Sequence, residues 1–169
     1  MTNASAPEQY HPWVTYVAGR QEAQSRGDRR VGTDHLLIGL LRDPEVERLL
    51  GVSLESARAM LDTLDRSALA AVGIVAEFEA PRLDDRALPK RPSAKDLWGV
   101  RDRLKLTPAA AGALKEASRP VRRGKNISAQ QVLAALMENR PPDPAAVLLD
   151  ALGVNAAAVR ARMTIDPLQ

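Results

Sequence analysis

Apolar residues recur along this chain at intervals of three and four, which is the spacing of helices with one buried face. The densest case is a stripe of four leucines, Leu36, Leu37, Leu40 and Leu41. The same pattern is found, with weaker residues, in three further segments, at 10–26, 54–64 and 108–117. The hydrophobic pattern therefore predicts an all-α protein.

Residues that begin and end helices divide the chain into short elements. Thr33 and Ser53 are suited to cap the helices that follow them, and Asp43-Pro44 places a cap before a proline at the first helical position. Gly51 is a suitable C-terminal stop. The same signals return later in the chain, as Thr107-Pro108, the capping box of Ser128 and Gln131, Asp143-Pro144 and Gly153. These boundaries predict two four-helix lobes, at 10–66 and 106–163.

One segment of the chain occurs twice. Residues 31–41, VGTDHLLIGLL, return in a less similar form as residues 127–137, ISAQQVLAALM. Each copy is followed by a turn that contains proline and by a helix that ends in Gly-Val, at Gly51-Val52 and Gly153-Val154. Two such helical units can together bury a core that neither closes alone.

The segment between the lobes, 67–105, has the composition of an exposed connector, with Pro81, Pro89 and Pro92 among charged residues. Ser93 is suited to cap a short helix over 93–104. Residues 73–79 alternate like a strand, but a lone strand without a partner is not expected to form, so we expect an extended segment. Residues 1–9 are predicted to be disordered, and residues 164–169 to form a C-terminal tail.

Composition supports the helical prediction and excludes several kinds of chemistry. With one Phe, two Trp and two Tyr, the core must consist of Leu, Val and Ala, which suits close-packed helices. The absence of Cys excludes disulfides, thiolate catalysis and cysteine zinc sites. The two His, His11 and His35, have no ligand spacing, so no metal site is expected. Without a long apolar run or a signal peptide, we expect a cytoplasmic protein that does not enter membranes.

The residues from Val31-Gly32-Thr33-Asp34-His35-Leu36-Leu37 to Gly51-Val52 resemble the signature of the Clp N-terminal domain, also called the Clp repeat. In that family the motif Gly-Thr-Glu-His-Leu-Leu opens the second helix of each repeat. The resemblance covers about 10–66 and 105–163, and it implies a pseudo-twofold double domain of two four-helix repeats packed together. The second copy departs from the motif, because Ala129-Gln130-Gln131 replaces Thr-Glu-His.

Members of this family carry the domain in front of AAA+ unfoldase rings of the ClpA and ClpC type, where it docks adaptors and substrates. This chain contains no phosphate-binding Walker loop: at its only Gly-Lys, Gly124-Lys125, Arg119 replaces the first glycine and Asn126 the hydroxyl residue. It resembles the stand-alone actinobacterial ClpC-type N-domain proteins. The resemblance implies a binding module that is not an enzyme and needs no cofactor. Its implied partners are Clp unfoldase or protease components, substrate or adaptor proteins, and arginine-phosphorylated or cyclic peptides.

Some ClpC-type domains bind phosphoarginine, with the motif Glu of each repeat holding the guanidinium. A planar guanidinium favours a bidentate carboxylate, and helix N-termini can accept the phosphate. By this resemblance the first site uses Asp34, and the second uses Gln130, which is neutral. Thr33 and Asp34 are therefore the leading ligand-binding candidates, and Thr107 is a weaker one. We expect one surviving site at most.

Other interpretations of these residues stay open. Asp34 is also explained as an acid in the first turn of a helix, where the exposed amides favour a carboxylate. His35 fits a hydrogen-bonding role in the core or between the lobes. The run from Arg119 to Lys125 offers an alternative function, a nucleic-acid-associated regulator. However, the net charge of +3 comes from 24 basic and 21 acidic residues scattered along the chain, which favours a solvated loop.

Overall fold

The computed structural model describes residues 12–75, 104–119 and 127–165. Within these ranges the chain forms eight helices: α1 (Pro12–Arg26), α2 (Thr33–Leu40), α3 (Pro44–Leu50), α4 (Leu54–Ala71), α5 (Pro108–Ser118), α6 (Ala129–Leu136), α7 (Pro144–Ala151) and α8 (Ala156–Ile165). Two short strands, β1 (Arg30–Val31) and β2 (Lys105–Leu106), pair in parallel. The protein is predominantly helical, as its hydrophobic pattern predicts. The predicted N-terminal disorder, the short helix over 93–104 and most of the C-terminal tail lie outside the described residues.

Most of the predicted helix starts are confirmed, because the capping side chains bind the amides that the first turn leaves unpaired. The observed caps are Asp43 with Glu45, Ser53 with Ser56, Thr107 with Ala110, Ser128 with Gln131, and Asp143 with Ala145 and Ala146. Gly51 and Gly153 follow their helices in the left-handed conformation, with φ of 68° and 69°. One predicted cap is wrong: Thr33 is the first residue of α2, and Gly32 is its N-cap.

The end of the first lobe and the start of the second also differ from the prediction. Helix α4 continues past residue 66 to Ala71, since residues 67–71 contain good helix formers and the first strong stop is Gly73, with φ of 81°. Further along, β2 adds a strand where the sequence predicted only a connector. The amide of Thr107 extends the β1–β2 pair by donating to the carbonyl of Val31 at 2.9 Å.

The helices before and after the connector contact one another in reciprocal pairs. Helix α1 packs on α2 as α5 packs on α6, and α2 meets α7 as α6 meets α3. Helix α3 meets α8 as α7 meets α4, and α1 meets α6 as α5 meets α2, while α2 and α6 pack on each other. A single hydrophobic cluster results, and it draws on both parts of the chain, with Leu36, Leu37 and Leu40 beside Leu133 and Leu136.

Two glycines allow α1 and α2 to approach each other closely. A Cβ placed on Gly39 would lie 2.7 Å from the backbone nitrogen of Gly19, and one on Gly19 would lie 3.0 Å from the carbonyl oxygen of His35. Gly19 weakens the helical pattern of α1 in the sequence. It suits this contact, because a side chain at position 19 would require the backbone of α2 to shift by a few tenths of an ångström.

A buried ionic trio joins α1, the loop after α2, and α4. Glu22 accepts hydrogen bonds from Arg42 at 2.7 Å and from Nε of Arg58 at 3.0 Å, and the side chains of Glu22 and Arg42 are almost completely buried. Burial raises the pKa of Glu22, but hydrogen bonds and charge from Arg58 and Arg42 lower it further, so that it lies below its ordinary value of 4.5. The trio therefore stabilises the fold only while Glu22 is ionised.

Replacing Glu22 by Ala should destabilise the protein by about 3–5 kcal/mol, because it leaves the buried guanidinium of Arg42 without its carboxylate, and the remaining partner, Gln21, is neutral. Urea unfolding followed by circular dichroism measures this change. Since the folded pKa of Glu22 is lowered, the difference should be complete well above pH 4.5 and should shrink as the pH falls below that value. The matched control is Glu116→Ala, which removes an exposed pair with Arg119 and should cost less than about 0.5 kcal/mol. Equal losses in the two variants would contradict this account.

Candidate functional site

The first copy of the repeated segment begins at a point where the N-termini of three helices meet. Thr33 opens α2, and its hydroxyl reaches the first turn of α7. Thr107 caps α5, and its backbone amide binds the carbonyl of Val31, two residues before Thr33. Three of the predicted site residues, Thr33, Asp34 and Thr107, are therefore brought to the same end of the bundle. The fourth, Gln130, lies at the N-terminus of α6.

The hydroxyl of Thr33 forms its hydrogen bonds within the protein. Its side chain hydroxyl donates to Oδ1 of Asp143 at 2.9 Å and accepts from the amide of Ala145 at 3.2 Å, and the residue is 1% exposed. This contact explains why Thr33 does not cap its own helix, since its hydroxyl faces α7 instead. The hydroxyl is not placed to contact a ligand, and its role is to hold α2 against α7.

The carboxylate of Asp34 is largely buried and lies close to Gly32. Its side chain is 14% exposed, and a Cβ added to Gly32 would lie 2.2 Å from its Oδ1. Burial raises the pKa of Asp34; the charge on His35 and two backbone amides oppose this, but the pKa stays above its ordinary value of 3.8. Among the described residues the only basic side chain within ion-pair distance is His35, whose Nδ1 lies 3.3 Å from Oδ1 of Asp34. No Arg or Lys of the described ranges thus pairs with this carboxylate.

His35 has the hydrogen-bonding role in the core that its sequence context predicts. Its Nδ1 accepts from the amide of Gly32 at 3.0 Å, and its Nε2 lies 3.0 Å from Oδ2 of Asp28. Because Nδ1 is an acceptor, the neutral ring carries its proton on Nε2 and donates it to Asp28. No local pattern identified Asp28 as a partner, since it lies in the loop between α1 and β1. In the described ranges no three His, Cys, Asp or Glu side chains are arranged to hold a metal ion.

Gln130 contacts a residue that sequence reasoning missed. Its Nε2 donates to Oε1 of Glu45, in the first turn of α3, at 2.6 Å. Like the contact of Thr33, it joins the start of a central helix to the opposite half, since α6 meets α3 as α2 meets α7. One feature of the sequence could have indicated this contact: Glu45 directly follows Asp43-Pro44, whereas Ala145 follows the corresponding Asp143-Pro144. The carboxylate absent from position 130 is therefore present beside it, on another helix.

The remaining sequence predictions concern nucleic acid and membrane. Arg119, which opens the basic run, is exposed and pairs with Glu116 at 3.0 Å, while residues 120–125 lie outside the described ranges. No single helix in the described part of the chain is long and apolar enough to cross a bilayer. The consecutive helices α7 and α8 are long and apolar enough only when taken together, and the chain bends by 97° at the break between them.

A scan of this chain against protein-family models finds no match, and a search of the curated proteins finds no matching sequence.

Replacing Thr33 by Val, which has nearly the same shape, should lower the free energy of unfolding by about 1 kcal/mol, because Asp143 loses a buried donor. Gln130→Ala removes the exposed contact with Glu45 and should cost less than about 0.5 kcal/mol. Urea unfolding of both variants makes the comparison. A Thr33→Val protein as stable as the wild type would show that the contact with α7 contributes nothing.

Replacing Asp34 by Asn separates its two interpretations. A folded pKa above 3.8 means that the carboxylate favours the folded state only when it is protonated, and that ionisation at neutral pH costs stability. Asn should therefore raise the free energy of unfolding at neutral pH, and the gain should vanish as the pH falls below 3.8. If Asp34 served mainly to stabilise the first turn, Asn would instead be destabilising at neutral pH. Glu55→Gln, at an exposed first-turn acid of α4, is the control and should cost about 0.3–1 kcal/mol or less.

Proposed function

We propose that this chain is a non-catalytic protein- and peptide-binding module of the Clp proteolysis system, built as a pseudo-twofold pair of Clp repeats. The repeat hypothesis is supported by the packing of the helices. The two similar segments form helices of the same length, α2 and α6, and each of these meets the third helix of the other half. Two copies of one unit, each completing the core of the other, account for these reciprocal contacts.

The observation that carries the binding proposal is the carboxylate of Asp34. It occupies the position of the motif acid, lies against Gly32 and is largely buried, with no Arg or Lys partner in the described part of the chain. A largely buried carboxylate that no Arg or Lys of the described residues pairs with is suited to receive a cation from a ligand. The guanidinium of an arginine side chain matches it, because two parallel N–H donors can engage one carboxylate.

Thr107 is suited to the phosphate of a phosphorylated arginine. It stands at the N-terminus of α5, close to Gly32, and its hydroxyl accepts from the amide of Ala110 at 3.2 Å. A hydroxyl that accepts one hydrogen bond can still donate another, and helix N-termini favour anions. A guanidinium on Asp34 and a phosphate near Thr107 would thus be served by complementary groups.

At the second repeat, Glu45 takes over the charge that Gln130 lacks. The two side chains are bonded at 2.6 Å, so a guanidinium approaching Gln130 would meet the carboxylate of Glu45. This position is exposed, and an exposed charge pair contributes less to binding than a desolvated one. We therefore assign the main ligand contact to Asp34 and a weaker one to Glu45 and Gln130.

As a binding module, the chain would act on Clp-dependent proteolysis by delivering substrates as an adaptor, by competing with the N-domain of a full-length unfoldase, or by sequestering peptides directed at it. The alternative, a nucleic-acid-associated regulator that uses the basic run 119–125, stays a prediction, since Arg119 is the one residue of that run that the structure describes.

The full-length chain, immobilised, should enrich the Clp unfoldase, its peptidase or their substrates from an extract of its own cells. Asp34→Ala should lose the arginine-phosphorylated substrates, while Glu55→Ala, which removes an exposed acid from α4, should retain them. Failure to enrich any Clp component or substrate would overturn the proposed function.

The second arm of this test uses free phosphoarginine and calorimetry. The native protein should bind it weakly, and Asp34→Ala should weaken binding by about 10-fold or more, as expected for a charge-assisted hydrogen bond. Gly32→Ala should have a similar effect, because the new Cβ displaces the carboxylate of Asp34. If the native protein gives no heat, Asp34 is not an arginine-phosphate site, whatever the pull-down shows.

A further inference from the structure

The two repeats bind the N-cap amide of their second helix with different side chains. At α2 the acceptor is Nδ1 of His35, 3.0 Å from the amide nitrogen of Gly32. At α6 the acceptor is Oε1 of Gln131, 2.8 Å from the amide nitrogen of Ser128. Both acceptors stand at the third position of their helix. An imidazole titrates near physiological pH, whereas an amide does not titrate at all.

We propose that His35 is a proton-operated switch at the first N-terminus, which releases the Gly32 amide and engages Asp34 when the ring is protonated. The second N-terminus, with Gln131, lacks this response. The switch itself follows from the contacts of His35. Only its consequence for ligands rests on the proposed function of Asp34.

Proton uptake changes what Nδ1 can do. The neutral ring accepts at Nδ1 and donates from Nε2 to Asp28, so a proton from solvent has to add at Nδ1. The imidazolium then has two donors and no acceptor, and the hydrogen bond from Gly32 is lost. Because Nδ1 lies 3.3 Å from Oδ1 of Asp34, the new N–H can donate to this oxygen after a small adjustment.

Charged groups face His35 from several elements. Asp28 faces it from the loop after α1, Asp34 faces it from α2, and α7 brings Asp143 to the neighbouring Thr33. Helix α1 places Gly19, which has no charge, against the backbone of His35. Basic and acidic side chains on adjoining elements are exposed or held in other ion pairs: Arg30, Lys105, Glu22 and Arg26.

The consequence for binding is that His35 and a ligand cation compete for one carboxylate. When the ring is neutral, Asp34 is available to a guanidinium. When the ring is charged, Asp34 is paired inside the protein, and a cationic ligand has to displace the imidazolium. Affinity at Asp34 should therefore fall as the pH is lowered through the titration of His35.

Nitrogen-15 NMR of the full chain, titrated from about pH 8 to about pH 5, tests the switch directly. The amide signal of Gly32 should move in step with protonation of the His35 ring, while that of Ser128 should stay constant. His35→Gln, which places at the first N-terminus the side chain that Gln131 supplies at the second, should keep the amide of Gly32 bound and abolish its pH response. Gln131→His should transfer a pH response to Ser128.

Three results would overturn the proposal: a ring that stays neutral down to about pH 5, a Gly32 signal that ignores ring protonation, or a response that survives in His35→Gln. A ligand measurement separates this outcome from the proposed function. Methylguanidinium keeps its charge over this range, and its binding should weaken by about threefold or more at the low end in the wild type but not in His35→Gln. If it does not bind at all, the function of Asp34 fails, while the coupling of His35 to Gly32 is judged by the titration alone.

Discussion

The structure depends on the burial of α2 and α6 by each other and by the helices of the opposite half. These two helices have eight residues each, and α3 has seven, which is too short for any of them to be stable alone in water. Their apolar side chains are buried by the preceding helix of the same half, α1 or α5, and also by the opposite half, where α2 packs on α6 and α7, and α6 packs on α3. Neither half closes its own core. The ends of the helices are consequently held in fixed positions relative to one another, and Thr107 is bonded to Val31, three residues before Asp34.

The two halves pack in the same way, but different side chains form the polar contacts at corresponding positions. Beside the fourth helix of the first half, Arg58 binds Glu22, which in turn holds the buried Arg42. In the second half, Arg160 binds Glu138 directly and the carbonyl of Met137. The first polar residue after α2 is the cation Arg42, so a separate carboxylate, Glu22, lies between it and Arg58. The first polar residue after α6 is itself a carboxylate, Glu138, and it pairs with Arg160 without a third side chain. Apolar residues therefore set the packing of both halves. The polar residues differ between the halves, because each is bonded to whichever partner lies beside it.

We propose that the surroundings of Asp34 serve binding more than stability. Gly32 leaves room for the carboxylate of Asp34, and burial raises the pKa of that carboxylate above its ordinary value, so the ionised form is a cost to the folded state. A structural acid in a first turn would be expected in solvent, where the helix amides favour it without this cost. The contacts of Thr33 and His35 fix the backbone on either side of Asp34. Together they support a preorganised place for a cation, which is the basis of the function we propose.

The sequence by itself determined the helices, their order and most of their ends, because caps such as Ser53, Asp143 and the Ser128–Gln131 pair are satisfied within three residues along the chain. It also placed the leucines of α2 in the core. Only the tertiary structure decided which polar side chains meet. Thr33 was wrongly expected to cap its own helix, since the competing partner, Asp143, is 110 residues away. The β1–β2 pair, the bond of Gln130 to Glu45 and the trio at Glu22 likewise join distant parts of the chain. Local patterns carry no information on such contacts, because they exist only once the apolar faces have packed.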